Sequence, residues 1–349
     1  MMPAVITASS VLCAGGRGTE QLWATVRAGI SCIKASPLVD RFVEPIQMGL
    51  VPESALKVLP PELQSVPLPA WARRILQLAA PTLAAISDFA GAPPLIVYLG
   101  LPQLEPVENP WLVPFLEYLS ICAAVPVDVV SSRIFPMGRA ASLLAMESAL
   151  ETLTQNPSAS IVVGGVDTYL DLNRIGILDR EGRILGSMVM DGFIPGEGAG
   201  FLVLNGAAVE ARANAHAAVI VHGAATVIDP GHRYGSAPAL GEGLAQALDK
   251  LRSAPAVPDV RVSSTFAGFN GENFEAKLWG VARLRHTDFF APSMVLQHPA
   301  DCIGDTGAAT GAILAALASF ALAESQREGP SLIWAASDHE LRGCTLLSK

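Results

Sequence analysis

The segment DGFIPGEGAGFLVLN, residues 191–205, is the most informative part of this chain of 349 residues. Its four glycines, at positions 192, 196, 198 and 200, surround Glu197 and lead into the apolar run 201–204. Glycine lets the backbone adopt positive φ or approach another backbone closely, so the pattern predicts a tight, buried entry into a β-strand. A glycine-rich turn before a strand is usually structural, and its meaning therefore depends on the motifs around it.

The composition is that of a large globular protein. Hydrophobic residues make up 51% of the chain and charged residues 16%, which allows a large core and excludes disorder. A net charge of -9 and the absence of a basic stripe argue against nucleic-acid binding. The apolar segment 308–322 is too short to cross a bilayer, so we expect no membrane insertion.

The five cysteines show neither a CxxC pair nor metal-ligand spacing. Their odd number also argues against a closed disulfide framework. We therefore expect a reduced, cytoplasmic protein with no metal and no cofactor.

Strand-like apolar runs alternate with helical segments, which predicts an α/β fold. The predicted strands are 4–8, 95–99, 161–163, 201–204, 218–222, 260–264 and 332–336. The predicted helices are 19–28, 72–90, 140–154, 207–215, 243–251, 275–281 and 306–323. Because the strands are apolar throughout, helices should cover both faces of the sheet. The succession of elements is similar on each side of a boundary near 205, so we expect two related halves, 1–205 and 206–349, in one compact unit.

Further motifs stand in a fixed order around residues 191–205. They are AVITASSVLCAGGRGTEQLWATVRAGISCI (4–33), GRAASLLAMESAL (138–150), SIVVGGVDTYLD (160–171), ALGEGLAQAL (239–248), NGENFEAKLWG (270–280) and IGDTGAATGAI (303–313). In order and spacing they resemble the β-ketoacyl synthases, or ketosynthases, which have the thiolase-like fold. The family signature DGF-x-x-GEGAG is matched by Asp191, Gly192, Phe193, Gly196, Glu197, Gly198 and Gly200. The resemblance covers essentially the whole chain and implies five layers, αβαβα, made of two similar halves, and usually a homodimer.

The chemistry departs from the family. The resemblance implies a cysteine nucleophile at a helix N-terminus and two catalytic histidines. Arg139 stands at the position of the cysteine, Ser264 at that of the first histidine and Asp305 at that of the second. The C-terminal glycine loop that supplies an oxyanion-hole N–H is replaced by WAASDHELRG, residues 334–343. The sequence therefore predicts a divergent pseudoenzyme with no catalytic residue.

The replacements at two of these positions carry opposite charges. The family brings the nucleophile and the second histidine together at the bottom of one pocket, so we expect Arg139 and Asp305 to form a bidentate salt bridge there. The alternative is that two unrelated losses left residues that face solvent or are satisfied separately. A weak alternative nucleophile is Cys302, with His298 four residues before it. The simpler interpretation of this pair is a small buried cysteine beside a loop histidine.

The resemblance and the missing catalytic groups together imply a scaffold, chaperone, adaptor or partner subunit. The family includes chain-length-factor subunits, which pair with an active ketosynthase and an acyl carrier protein. It also includes small thiolase-like chains found beside bacterial secretion-effector genes, which would bind an effector or adaptor. The short length and the missing glycine loop favour the second kind. The alternative is a 3-oxoacyl-[acyl-carrier-protein] synthase, or another acyltransferase, with a relocated catalytic centre.

Overall fold

The structure, a computed structural model, describes residues 2–105, 108–206 and 219–349. The strands among them are β1 (Ala4–Cys13), β2 (Gly16–Arg17), β3 (Lys34–Val39), β4 (Pro45–Met48), β5 (Ile96–Gly100), β6 (Arg133–Phe135), β7 (Ser160–Thr168), β8 (Glu197–Gly206), β9 (Val219–Ile228), β10 (Val262–Ala267), β11 (Phe290–Gln297), β12 (Ser331–Ala336) and β13 (Leu341–Ser348). The helices are α1 (Thr19–Arg27), α2 (Pro61–Gln64), α3 (Ala70–Ala84), α4 (Phe115–Ala123), α5 (Ala141–Gln155), α6 (Leu172–Arg180), α7 (Glu242–Arg252), α8 (Asn273–Arg285), α9 (Ala300–Ile303) and α10 (Thr310–Ala323).

Eleven of these strands form one continuous mixed sheet. Its order is β11-β10-β12-β13-β9-β1-β8-β7-β5-β6, with β2 paired to β1, while β3 and β4 form a separate hairpin. On one side, β1, β8 and β7 pair antiparallel, and β7, β5 and β6 pair parallel. On the other side, β9, β13 and β12 pair antiparallel, and β12, β10 and β11 pair parallel.

This matching order of strands is what two related halves would produce. The two sets meet where β1 pairs with β9, through residues 4–6 and 219–221. The division into residues 1–205 and 206–349 stays a prediction. The helical piece expected at 207–215, and the first residue of the strand expected at 218–222, lie outside the described residues.

The layers follow from which way alternate strand residues point. In β8, Leu202 and Leu204 pack into one cluster with α5 and α10, whereas Phe201 and Val203 pack into another with α3 and α4. The sheet in this half is therefore covered by helices on both faces.

The second half is built in the same way. In β12, Ile333 and Ala335 join the same α5 and α10 cluster, whereas Leu332 and Trp334 pack with α7 and α8 on the opposite face. The helices α5 and α10 thus lie between two sheet layers, with further helices outside each of them. This confirms the predicted αβαβα architecture.

Several predicted elements differ from those observed. The helix predicted over 72–90 is α3, which ends at Ala84, and the polar turn that follows it leads to Gly91 with φ 86°. The strand predicted over 260–264 lies at Val262–Ala267, because residues 258–261 lead into the sheet from a turn. The strand β13 was not predicted, since arginine, glycine and threonine interrupt its apolar pattern. Within the part of the chain that the structure describes, no helix is long and apolar enough to cross a membrane.

Candidate functional site

The glycine-rich segment that precedes β8 holds the backbone of Asp305 in place. Pro195 pairs with Asp305 in a parallel bridge, and the Asp305 amide donates to the Ile194 carbonyl at 2.8 Å. A Cβ on Gly196 would lie 2.9 Å from the carbonyl oxygens of both Asp305 and Ile303. Only glycine therefore permits this approach of two backbones, which fixes the point from which the Asp305 side chain extends.

The other matched residues of the signature are also structural. Asp191 accepts a hydrogen bond from the Asn273 amide at 2.8 Å, and Phe193 packs its buried ring against Tyr169. Added Cβ atoms at the remaining glycines would meet backbone atoms 2.8–3.0 Å away. These glycines are Gly192, Gly198 and Gly200.

The acid of the signature, Glu197, is completely buried and fully paired. Arg74 contacts its two carboxylate oxygens at 2.6 and 2.7 Å. The Val51 amide and the Thr168 hydroxyl donate to the same carboxylate at 2.8 and 2.7 Å. Glu197 thus joins β8 to α3 and to the end of β7, and none of its oxygens is left to act on a ligand.

Arg139 lies in the turn Gly138–Ala140 directly before α5 and is 4% exposed. Its Nη2 contacts Asp305 Oδ2 at 2.6 Å, and its Nη1 contacts Glu275 and donates to the Ala336 carbonyl at 3.2 Å. The structure thus brings Arg139 and Asp305 together through a single nitrogen and a single oxygen. The expected bidentate geometry is absent because Nη1 is occupied by Glu275 and Ala336.

The carboxylate of Asp305 is satisfied on every side. Its Oδ2 also accepts from the Asn270 amide group at 3.2 Å and from the Tyr169 hydroxyl at 3.4 Å. Its Oδ1 accepts from the backbone N–H of Gly307 at 2.8 Å. A carboxylate held in this way serves as a structural anchor for Arg139 and is not free to remove a proton from a ligand.

Further ions extend the network behind Arg139. Arg183 pairs through two nitrogens with Glu272, at 2.9 and 2.7 Å, and through two nitrogens with Asp338, at 3.0 and 2.9 Å. Arg233 contacts Glu272 at 2.9 Å. The network ties the loop after β12 to those after α6 and β9. It joins three guanidinium groups to four carboxylates, those of Arg139, Arg183, Arg233, Asp305, Glu272, Glu275 and Asp338.

The ionisation of the network is fixed by its own charges. Burial alone would lower the pKa of Arg139, but the surrounding acidic groups, of which Asp305 acts most strongly, together outweigh burial and raise that pKa. Burial alone would raise the pKa of Asp338, but Arg139 and Arg183 hold it well below its usual range. Burial, followed by the charge of Asp305, raises the pKa of Tyr169. None of these three groups therefore exchanges a proton near neutral pH, as a general acid or base would have to.

Ser264 is not part of this network. It lies inside β10, is buried, and has its hydroxyl oxygen 2.5 Å from that of Ser331. The residue that reaches the site from this strand is Asn270, beyond the end of β10, which contacts both Asp305 and Glu272. That Ser264 stands at the position of the family's first histidine stays a prediction.

Cys302 and His298 do not form a reactive pair. Burial raises the pKa of the Cys302 thiol, which keeps it protonated. The His298 ring contacts Asp301 through Nδ1 at 2.7 Å, and this hydrogen bond raises the histidine pKa. Among the hydrogen bonds of the described residues, none joins His298 to Cys302. The structure therefore shows no base that would activate this thiol.

Five charged members of the network were missed by sequence reasoning. They are Arg183, Arg233, Glu272, Glu275 and Asp338. Two of them lie in the motif at 270–280, and Asp338 lies in the segment that replaces the family's glycine loop. The sequence feature that could have indicated them is the presence of acidic residues in these two segments together with an arginine at position 139.

A cleft of about 580 Å³ opens outside Arg139. Its walls include Trp71, Leu104, Arg174, Ile177, Tyr234 and His339. The Arg174 guanidinium lies 3.8 Å from the centre of the Tyr169 ring and contacts Asp167 at 2.6 Å. The described lining contains no cysteine, and Arg139 and Asp338 of the ion network are part of it.

Comparisons with known proteins show which solved structures share this architecture. No family model and no curated protein matches the sequence. Among solved structures, a ketosynthase from module 6 of the bacillaene synthase of Bacillus subtilis matches with a TM-score of 0.78 and 16% identity, covering 100% of this chain and 72% of that one. A type II polyketide synthase acyl-carrier protein in complex with its ketosynthase matches with a TM-score of 0.77 and 16% identity, covering 99% of both chains.

A third match is the ishigamide ketosynthase/chain length factor, with a TM-score of 0.76, 17% identity, and coverage of 100% of this chain and 99% of that one. The chain therefore has the thiolase-like fold of ketosynthases over its whole length. At such low identity the similarity concerns the fold, and the chemistry has to be argued from the residues of the site.

Proposed function

We propose that this chain is a catalytically inactive ketosynthase-like protein whose function is to bind another protein. The observation that supports this most strongly is Arg139, which stands where the resemblance places the nucleophile. Its guanidinium is buried and paired with Asp305 and Glu275. A guanidinium cannot carry an acyl group and stays protonated at all accessible pH.

The ion network gives a physical reason why a protein would retain the ketosynthase fold without catalysing acyl transfer. Burying several charges is costly unless each is paired, and here the pairing partners come from both halves of the chain. The groups that a ketosynthase would use for acyl transfer are thus replaced by groups that fix the shape of the cleft floor. A fixed cleft and surface suit a scaffold, chaperone or adaptor.

Two of the similar structures are named as assemblies, one with an acyl-carrier protein and one with a chain length factor. For this chain we propose a protein partner of one of three kinds: a bacterial secretion effector or its adaptor, an acyl carrier protein, or an active ketosynthase. We also propose that the chain forms a homodimer in the cytoplasm. Light scattering after size exclusion measures the homodimer, and affinity capture from the native cell followed by mass spectrometry identifies the partner.

Acyl loading tests the inactive state directly. The purified protein is incubated with acyl-CoA and, separately, with an acylated carrier protein, and its intact mass is measured. We expect no stable acyl adduct, whereas an active ketosynthase treated in parallel gains one acyl group. An adduct on any cysteine of this chain would contradict the proposal.

The second candidate is a 3-oxoacyl-[acyl-carrier-protein] synthase, or another acyltransferase, with a relocated centre. It is favoured by the ketosynthase fold and by the cleft, which has room for a ligand. Its weak point is the nucleophile, because the buried Cys302 thiol has a raised pKa and His298 is engaged by Asp301. An acyl adduct that disappears in Cys302→Ala and persists in Cys122→Ala would establish this candidate.

A further inference from the structure

A serine and a histidine contact each other on neighbouring strands, outside the ion network. His222 lies in β9 and Ser348 in β13, and the ring Nε2 is 2.8 Å from the serine Oγ. The other ring nitrogen, Nδ1, is 3.1 Å from the carbonyl oxygen of Ala256. A carbonyl can only accept, so Nδ1 carries the hydrogen and the neutral ring accepts the serine proton at Nε2.

The protonation state of the ring suits a base. Burial lowers the pKa of His222 from its ordinary value of 6.5, which keeps the imidazole neutral at pH 7. A hydroxyl that donates to a neutral imidazole, itself held by a hydrogen bond from its second nitrogen, is the arrangement of an activated serine. In this site the orienting group is a backbone carbonyl.

The pair opens into its own cavity of about 600 Å³. Arg327 and Lys349 bring positive charge to its walls against the single negative charge of Glu328, and Leu322 and Val260 bring apolar surface. Such a lining fits an ester with a short apolar part and an anionic group.

The backbone of Gly329 passes close to the serine. A Cβ on this glycine would lie 3.6 Å from Ser348 Cα, which is ordinary contact distance. The Gly329 N–H donates to no acceptor among the described residues. One backbone donor in the segment beside the serine is thus left without a partner among the described residues.

We propose that Ser348 and His222 form a second site, independent of the ketosynthase-like cleft, which hydrolyses small carboxylic esters that carry an anionic group. Ser348 Oγ attacks the ester carbonyl carbon while its proton moves to His222 Nε2. The bond to the alcohol oxygen breaks, and the alcohol leaves with the proton from His222. Water then attacks the acyl-serine, gives a proton to His222, and releases the carboxylic acid as that proton returns to Ser348.

A fluorophosphonate probe tests the serine on the folded, full-length protein. We expect peptide mass spectrometry to find the phosphonyl group on Ser348, and Ser348→Ala to abolish it. The matched control Ser36→Ala alters a serine on the separate β3–β4 hairpin and should keep full labelling. In His222→Gln the labelling rate should fall by about 100-fold or more, the lower end of the range for general base catalysis. Circular dichroism checks that each variant is folded.

The pH dependence of labelling and an ester assay add two further measurements to the test. In the native protein, the labelling rate should rise with pH to a plateau, with its midpoint below the ordinary histidine pKa of 6.5. After subtraction of the rate measured with Ser348→Ala, the 4-nitrophenyl hemiester of succinic acid should be hydrolysed faster than neutral 4-nitrophenyl butyrate. Absence of label on Ser348, a pH-independent labelling rate, or no hydrolysis of either ester above that of Ser348→Ala overturns the proposal.

Discussion

Replacing Arg139 with methionine should lower the free energy of unfolding by about 3–5 kcal/mol, the usual cost of removing one partner from a buried ion pair. The variant keeps most of the side-chain volume but removes the charge that faces Asp305 and Glu275. The exposed fractions of these two side chains are 1% and 2%, so water cannot replace the guanidinium. A loss of this size corresponds to roughly 10²–10⁴-fold in the unfolding equilibrium.

The assay is urea denaturation at pH 7, followed by the fluorescence of the five tryptophans. The matched control is Arg252→Met, which breaks the exposed pair with Asp288 and should cost less than about 1 kcal/mol. The double variant Arg139→Met with Asp305→Asn should be more stable than Arg139→Met alone, because one of the unpaired charges has been removed.

The reasoning would be refuted by an Arg139→Met protein as stable as the Arg252→Met control. It would also be refuted if the double variant lost the sum of the two single effects, since groups in direct contact should be coupled. Either result would mean that the two residues are satisfied separately and that the network does not stabilise the cleft floor.

Three further variants test other parts of the structure. The pKa of Asp338 is lower in the folded protein than its ordinary value of 3.8, so its charge stabilises the fold above pH 3.8 and this stability is lost as the pH falls below that value. Between about pH 4 and pH 2, Asp338→Asn should therefore lose less stability than the parent, as measured by urea titration. Glu197→Gln removes the buried partner of Arg74, leaving it only the exposed Glu53, and should cost about 3–5 kcal/mol in the same assay. Glu53→Gln, whose side chain is 79% exposed, should cost less than about 1 kcal/mol. Gly196→Ala places a methyl group 2.9 Å from two carbonyl oxygens and should lower the midpoint temperature of thermal unfolding. In the control Gly176→Ala the methyl group meets nothing within 4 Å, so this temperature should stay unchanged or rise slightly.

The fold could be predicted from the sequence because its signals are local and ordered along the chain. The glycines around Glu197 mark places where two backbones touch, and the structure shows such a contact at Gly196. The continuous apolar strands indicated a sheet covered on both faces, which the two faces of β8 bear out. The strand β13 was missed because its burial comes from neighbours that are distant in the sequence, and its own pattern is broken by Arg342 and Gly343.

Much of the candidate site could not be predicted, since it depends on loop lengths and on contacts between distant segments. Asp305 follows a fixed motif and could be singled out, whereas Asn270, which contacts it, could not, because nothing in its local sequence indicates that partner. Arg183 and Asp338 meet across 155 residues, and nothing in either local sequence indicates that partner. The charge balance of a buried network becomes visible only when all of its members are placed.

The two central helices, α5 and α10, each pack against both halves of the sheet, and this affects how the protein unfolds. Helix α10 lies between β11 and β12 of the second set of strands yet packs against β8 of the first, and α5 precedes the second set yet packs against β9. In a fragment of residues 1–205, the face of α5 that packs against β9 would be uncovered. The fragment of residues 206–349 would lack α5, which covers its sheet. The chain should therefore unfold in a single cooperative transition, and neither fragment should stay in solution when it is expressed alone.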